Sequence, residues 1–163
     1  MKDYRNISVI GFGRLGLCFG LFLERSGYNV LGIDISQEYV DKINSKTLNS
    51  TEENVEEMLS NSKNVKASTN IEDALSHADV LFVLVATPSL ENGRYDHTQV
   101  NKVVADLEQR GHVKDKHVII SCTTMPGYCD TVANRLNPLG YTVSYNPEFI
   151  AQGTIIRDQL NPE

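Results

Sequence analysis

A short apolar run that ends in a glycine-rich turn and continues into an apolar helix constrains this chain most. Residues Ile7–Ile10 form a strand-like run, and Gly11, Gly13 and Gly16 follow it in the spacing G-x-G-x-x-G. From Leu15 to Leu23 apolar residues cover nearly all sides of a helix, which is typical of a helix buried against a sheet. This opening segment therefore predicts a strand, a tight turn and a helix that packs back onto the strand.

The alternation of strand and helix continues along the chain. Val80–Val85 is continuously apolar, as expected of a parallel strand covered on both faces. The pattern predicts an α/β fold with a doubly wound parallel sheet of about six strands and helices on both faces. The predicted strands are Ile7–Ile10, Asn29–Ile33, Val65–Ser68, Val80–Val85, His117–Ser121 and Thr142–Tyr145. The predicted helices are Leu15–Leu23, Ser36 to about Ser45, Ser50 to about Ser60, Asn70–Leu75, Thr98 to about Arg110 and Tyr128–Leu136.

Three polar positions predict where helices begin. Ser36 and Asn70 are typical N-cap residues, and Ser50–Glu53 has the spacing of a capping box. We therefore expect helices to start directly after each of them.

Composition excludes several classes of protein. The 163 residues include 15 Lys and Arg against 21 Asp and Glu, so the net charge is −6 and no basic cluster could neutralise a nucleic acid backbone. No apolar run approaches the roughly 20 residues of a membrane helix, and the first residues do not resemble a targeting peptide. We expect one cytoplasmic domain over residues 1–163, with neither nucleic acid nor membrane as a partner.

The cysteines and histidines show no metal-ligand spacing. Three widely spaced cysteines favour a reducing compartment over a disulfide framework or a zinc site, and we interpret the four histidines as surface or loop residues. The residues concerned are Cys18, Cys122 and Cys129, and His77, His97, His112 and His117. We predict no metal site.

In open parallel sheets, ligands bind beyond the carboxyl ends of the strands. The segments that follow predicted strands are therefore the candidate site residues: Gly11–Gly16, Asp34, Ala86–Pro88, Cys122–Thr123 and Asn146–Glu148.

The glycine loop has the context of a dinucleotide-binding fingerprint, because it follows a strand and opens a helix. Gly11 would permit the tight turn, Gly13 would let a diphosphate approach the backbone, and Gly16 would let helix and strand pack closely. The backbone amides around Arg14 and Leu15 would then face the phosphates at the positive end of the helix dipole.

Asp34 ends the second predicted strand, 18 residues after Gly16. A carboxylate there would accept hydrogen bonds from the adenosine ribose and repel a 2′-phosphate, which favours NAD over NADP. The alternative is that Asp34 merely caps the next helix. The residues predict a Rossmann-like domain with NAD contacts at Gly11, Phe12, Gly13, Arg14, Leu15, Gly16 and Asp34.

Several later segments extend this pattern. They are Gly32–Asp34, Ala78–Val80, Val85–Pro88, Gly93, Asp96, Cys122–Gly127, Asn146–Gly153, Asp158 and Pro162. In this order, and together with Ile7–Gly16, they resemble the amino-terminal NAD-binding domain of the UDP-glucose/GDP-mannose dehydrogenase family over essentially the whole chain.

The resemblance implies a function and a set of site residues. Family members oxidise the sugar C6 alcohol of a nucleotide-sugar to a carboxylate in two NAD-dependent steps, through a thiohemiacetal on an essential cysteine. By resemblance, Thr87 and Thr123 contact NAD, Thr123 positions a catalytic water, and Glu148 assists acid/base chemistry. The substrate would lie along Glu148, Phe149, Ile150, Ala151 and Gln152, and Gln152 would also contact NAD. The resemblance further implies a homodimer or higher oligomer for the full-length protein.

The residues alone leave other roles open. Thr87 could end a strand, Thr123 could cap a helix, and Glu148 could be an acid at a helix start. The sequence also departs from the family pattern at Arg14, Leu15, Tyr39, Cys122, Tyr128 and Gln152.

The family's essential cysteine lies on a central helix and carboxy-terminal domain that would follow Glu163. Cys129, in the predicted first turn of a helix where a thiolate is favoured, does not match that cysteine. We therefore expect this chain to bind NAD without turnover. The alternatives are a stand-alone NAD-sensing module, a dehydrogenase domain of the 3-hydroxyacid or 6-phosphogluconate type, or a methyltransferase.

Overall fold

The computed structural model describes residues 4–148 and 153–160. Six strands form one parallel sheet in the order β3-β2-β1-β4-β5-β6. The strands are β1 (Asn6–Ile10), β2 (Asn29–Ile33), β3 (Val65–Ser68), β4 (Val80–Val83), β5 (Lys116–Ile120) and β6 (Tyr141–Tyr145). The helices are α1 (Arg14–Arg25), α2 (Gln37–Asn44), α3 (Val55–Asn61), α4 (Ile71–His77), α5 (Thr98–Gln109), α6 (Tyr128–Leu136) and α7 (Ile155–Leu160), with a 3₁₀ turn at Asn137–Leu139. The predicted doubly wound fold is confirmed.

Two hydrophobic clusters cover the two faces of the sheet. One contains apolar residues of α1, α2, α3 and α7, such as Leu17 and Leu59. The other contains residues of α4, α5 and α6, such as Val104 and Leu136. The strand order changes direction between β1 and β4, so the loops after these two strands diverge and leave a crevice at the carboxyl edge.

Two of the three predicted helix starts are confirmed. The Ser36 hydroxyl accepts a hydrogen bond from the Tyr39 amide at 3.3 Å. The Asn70 side chain accepts one from the Glu72 amide at 3.1 Å. Each bond satisfies an amide that has no partner within its helix.

The capping box at Ser50–Glu53 is wrong. The Ser50 hydroxyl accepts a hydrogen bond from the Glu52 amide, and Asn54 adopts a left-handed backbone with φ of 67°, so α3 begins only at Val55. Glu52, which the prediction placed in this helix, lies before it, and its side chain is buried. Helix α7 was not predicted either. It packs against α1.

Candidate functional site

Two glycines of the loop between β1 and α1 are required by the protein's own packing. Gly11 has φ of +93°, and a Cβ there would lie 2.6 Å from the Leu84 carbonyl oxygen. A Cβ on Gly16 would lie 2.1 Å from the Gly11 carbonyl oxygen. Since both distances are far inside contact, these positions accept glycine alone, as the loop's tight turn and close helix packing predict.

Gly13 is different, because no contact with a described protein atom requires glycine at this position. A Cβ on Gly13 would have no neighbour within 4 Å, and its φ of −66° is open to other residues. Gly13 is also the N-cap of α1 and provides no side-chain hydrogen bond there, although serine or aspartate would. The space in front of it lies at the α1 amino terminus, where first-turn amides can bind a diphosphate.

Only the backbone of Phe12 is available for the predicted NAD contact. The Phe12 ring is completely buried, and a Cβ on Gly32 would lie 2.0 Å from it. The amides of Gly11 and Phe12 both donate to the Ile33 carbonyl at 2.9 Å. Phe12 therefore ties the loop to β2, and its side chain cannot reach a ligand.

Asp34 lies at the carboxyl end of β2, beside the glycine loop. Its Oδ1 accepts a hydrogen bond from the Ser36 amide at 3.0 Å, while the Ser36 hydroxyl caps α2. Ser36, rather than Asp34, is therefore the N-cap of α2. The second oxygen of the half-buried Asp34 carboxylate can accept a hydrogen bond from another donor. Next to it, Ile35 is 92% exposed, an apolar surface that the sequence patterns did not single out.

The other predicted site residues follow β4, β5 and β6. Thr87 is half-buried after β4, and Thr123 is exposed after β5. The Glu148 amide approaches the Ser121 carbonyl at 3.4 Å, which places Glu148 beside the strand that leads to Thr123. Burial raises the pKa of the Glu148 carboxyl above its ordinary value. The predicted contacts Phe149, Ile150, Ala151 and Gln152 lie outside the described residues.

The structure also bears on the alternative roles. The N-cap of α6 is Gly127, so Thr123 does not cap that helix. All three cysteines are free thiols, and burial raises the pKa of Cys18 to about 12 and that of Cys122 to about 11. Burial also raises the pKa of Cys129. Burial therefore acts against the Cys129 thiolate that the helix start was expected to favour.

His97 was interpreted as a surface or loop histidine, but it has defined partners. Its Nε2 accepts a hydrogen bond from the Met125 amide at 3.2 Å, and its ring stacks on Tyr128 with centroids 3.8 Å apart. The two partners are about 30 residues away in sequence, so no local pattern could reveal them. A cleft of about 220 Å³ lies beside Met125, and the residues that line it include Thr124 and Tyr145.

Glu52 is a second residue that the sequence did not reveal. Its side chain is 1% exposed, and Arg14 Nη1 lies 3.7 Å from Oε1. Its Oε2 accepts a hydrogen bond from the Gly153 amide at 2.7 Å. This carboxylate therefore joins the glycine loop to the segment that enters α7.

Residues 4–148 and 153–160 contain neither a membrane-spanning helix nor a metal-ligand cluster. No helix there has the length and apolar character needed to cross a membrane. In the same residues, histidines, cysteines and carboxylates form no group suited to a metal ion.

Comparison with known proteins gives the family of the chain. Residues 5–163 match the UDP-glucose/GDP-mannose dehydrogenase family, NAD binding domain. UDP-glucose 6-dehydrogenase of Rickettsia prowazekii is 31% identical over 97% of this chain and 37% of its own length. GDP-mannose 6-dehydrogenase of Pseudomonas syringae is 29% identical over 93% of this chain and 38% of its own length.

The fold has a close counterpart among solved structures. The ternary complex of GDP-mannose dehydrogenase from Pseudomonas aeruginosa superposes with a TM-score of 0.84 at 26% identity, covering 96% of this chain and 39% of that one. The chain thus spans a little over a third of the length of these relatives. Fold, glycine loop and sequence similarity together show that the chain belongs to the UDP-glucose/GDP-mannose dehydrogenase family and corresponds to its NAD-binding domain.

Proposed function

We propose that this chain holds NAD for oxidation of the C6 alcohol of a nucleotide-sugar. The observation that carries the proposal is the open space in front of Gly13, at a helix start where glycine serves no packing purpose. The diphosphate would occupy this space, with amides of the first turn of α1 as donors. NAD bound there supplies the hydride acceptor of the reaction.

The adenosine half of the cofactor would lie over the end of β2. Asp34 offers a carboxylate oxygen to the ribose hydroxyls, and its charge opposes a 2′-phosphate. The exposed side chain of Ile35 offers an apolar surface for one face of the adenine. Neither role needs any rearrangement of β2.

The nicotinamide end would lie across the ends of β4, β5 and β6. Thr87 and Thr123 would contact it, and the Thr123 hydroxyl would also orient a water molecule. Glu148 would exchange protons with substrate or water, and its raised pKa suits a group that must both accept and release a proton. Residues 149–152, with Gln152 nearest the cofactor, would line the bound sugar.

The activity of the whole protein is a further part of the proposal. We infer that turnover needs chain outside residues 1–163, because the relatives are much longer and burial raises the pKa of all three thiols. A nucleotide-sugar substrate and a homodimer or higher oligomer follow from the same family membership. The three free thiols support a reducing compartment such as the cytoplasm.

Calorimetric titration with NAD tests the cofactor site. Asp34→Ala is expected to weaken binding by roughly tenfold or more, the usual effect of losing a hydrogen bond to a charged group. Asp106→Ala, on the half-buried side of α5, is the matched control and should bind as the unaltered chain does. Equal binding by Asp34→Ala and the control, or equal affinity for NAD and NADP, would remove Asp34 from the site.

A further inference from the structure

We propose that His97 is a positioning residue, which holds the segment Thr123–Tyr128 in place by accepting the Met125 amide hydrogen and stacking on Tyr128. The proposal rests on the proposed function, because that segment carries Thr123. It assigns a role to a histidine that no motif singled out.

The contacts join the amino ends of α5 and α6. His97 is the N-cap residue of α5, and its carbonyl accepts the Asn101 amide at 2.8 Å. Its ring meets the Tyr128 ring at an interplanar angle of 34°, and the Tyr128 hydroxyl donates to Asn101 Oδ1 at 2.8 Å. Tyr128 therefore contacts both His97 and Asn101, and the hydrogen bond between the Asn101 amide and the His97 carbonyl holds the backbone of His97 at the helix start.

The segment that His97 supports is also held by hydrogen bonds of its own residues. Met125–Tyr128 is a turn closed by the Tyr128 amide and the Met125 carbonyl at 3.1 Å, with Gly127 at φ of 79° and ψ of −5°, as in a type II turn. The Tyr145 hydroxyl accepts the Thr124 amide at 3.4 Å. The bond to His97, at 3.2 Å, is shorter and holds the next residue along the chain. Its loss would leave the longer Thr124 bond to hold the backbone on the carboxyl side of Thr123.

The arrangement requires a neutral imidazole. Nε2 accepts from Met125, so the ring proton must be on Nδ1, and protonation would set one N–H against another. Arg94 and Asp96, on the same segment, act in opposite directions, and Asp96 also accepts from Thr98. From α6 the facing group is Tyr128, whose pKa burial raises to about 12, so it stays neutral.

The pH response of this bond has a definite sign. Burial, followed by Arg94, lowers the pKa of His97 below its ordinary 6.5, so the neutral ring prevails at pH 7. The hydrogen bond is therefore fully present above 6.5 and is lost as pH falls through the lowered pKa.

Amide hydrogen exchange by NMR tests the proposal on this chain without NAD. His97→Phe keeps a ring against Tyr128 but removes the acceptor, whereas His97→Gln keeps an acceptor near Nε2 and cannot ionise. At about pH 7.5 the protection factor of Met125 is expected to fall roughly tenfold in His97→Phe and to stay near the original value in His97→Gln. As the pH is lowered through the pKa of His97 it should fall in the unaltered chain but not in His97→Gln.

His117 provides the matched control, because its ring is held by two side-chain hydrogen bonds but lies in the first half of β5. His117→Gln should leave Met125 protection unchanged. Unchanged protection in His97→Phe, or the same pH response in the unaltered chain and His97→Gln, overturns the proposal. These readings need no cofactor, so they are separate from the Asp34→Ala titration, whose failure would instead overturn the proposed function.

Discussion

Replacing Gly13 by serine is expected to separate cofactor binding from folding. A serine side chain would meet no described protein atom within 4 Å at its Cβ, and it would add a hydroxyl at an N-cap that has none. As an N-cap, serine stabilises a helix by a few tenths of a kcal/mol more than glycine does. Replacing glycine also reduces the conformational entropy of the unfolded chain, which adds about 0.4–1 kcal/mol to the free energy of unfolding. For a chain of this length that corresponds to a melting temperature raised by up to about 4 °C.

NAD binding should change in the opposite direction. The added atoms fill the space that a diphosphate needs beside the α1 amides. Losing one hydrogen bond to a charged group costs about 1.5–3 kcal/mol, which corresponds to roughly 10- to 150-fold in affinity. Thermal unfolding followed by circular dichroism and calorimetric titration with NAD measure the two effects on the same sample.

Gly13→Ala is the matched control for the hydroxyl. It should lose the same affinity but melt about 2–4 °C below the serine variant, because alanine cannot cap the helix. NAD affinity within about twofold of the original in both variants would refute the reasoning, since losing a hydrogen bond to a charged group should lower the affinity by more than twofold. A serine variant that melts well below the original would show that the space in front of Gly13 is needed by the protein itself.

Two further variants test the fold and the site. Gly32→Ala is expected to destabilise the chain by about 1–3 kcal/mol, because the new Cβ would lie 2.0 Å from the Phe12 ring; an unchanged urea midpoint would contradict this packing. Glu148→Gln is expected to raise the melting temperature at pH 7 but not below pH 4.5, because the raised pKa means that ionisation above 4.5 costs the folded state free energy. Equal effects at both pH values would show that the Glu148 charge is not responsible.

The local patterns predicted the fold because strand burial and helix capping depend on residue types within a few positions of each other. The continuous apolar run at Val80–Val85 predicted a strand covered on both sides, and β4 occupies its Val80–Val83 part. Ser36 and Asn70 predicted helix starts, and their side-chain oxygens accept amide hydrogen bonds there. The capping box at Ser50–Glu53 failed because a left-handed Asn54 delays the helix.

The sequence by itself determined the parallel sheet, the glycine loop and the acidic residue after β2, since each depends on neighbours within a few positions or on hydrophobic periodicity. Tertiary structure alone decided that Glu52 is buried between Arg14 and Gly153, that burial raises the pKa of Cys129 despite its helix start, and that His97 accepts from Met125. Burial and hydrogen-bond partners depend on residues up to about a hundred positions away. Such contacts leave no periodic trace in a chain, because they exist only once the strands have been placed side by side.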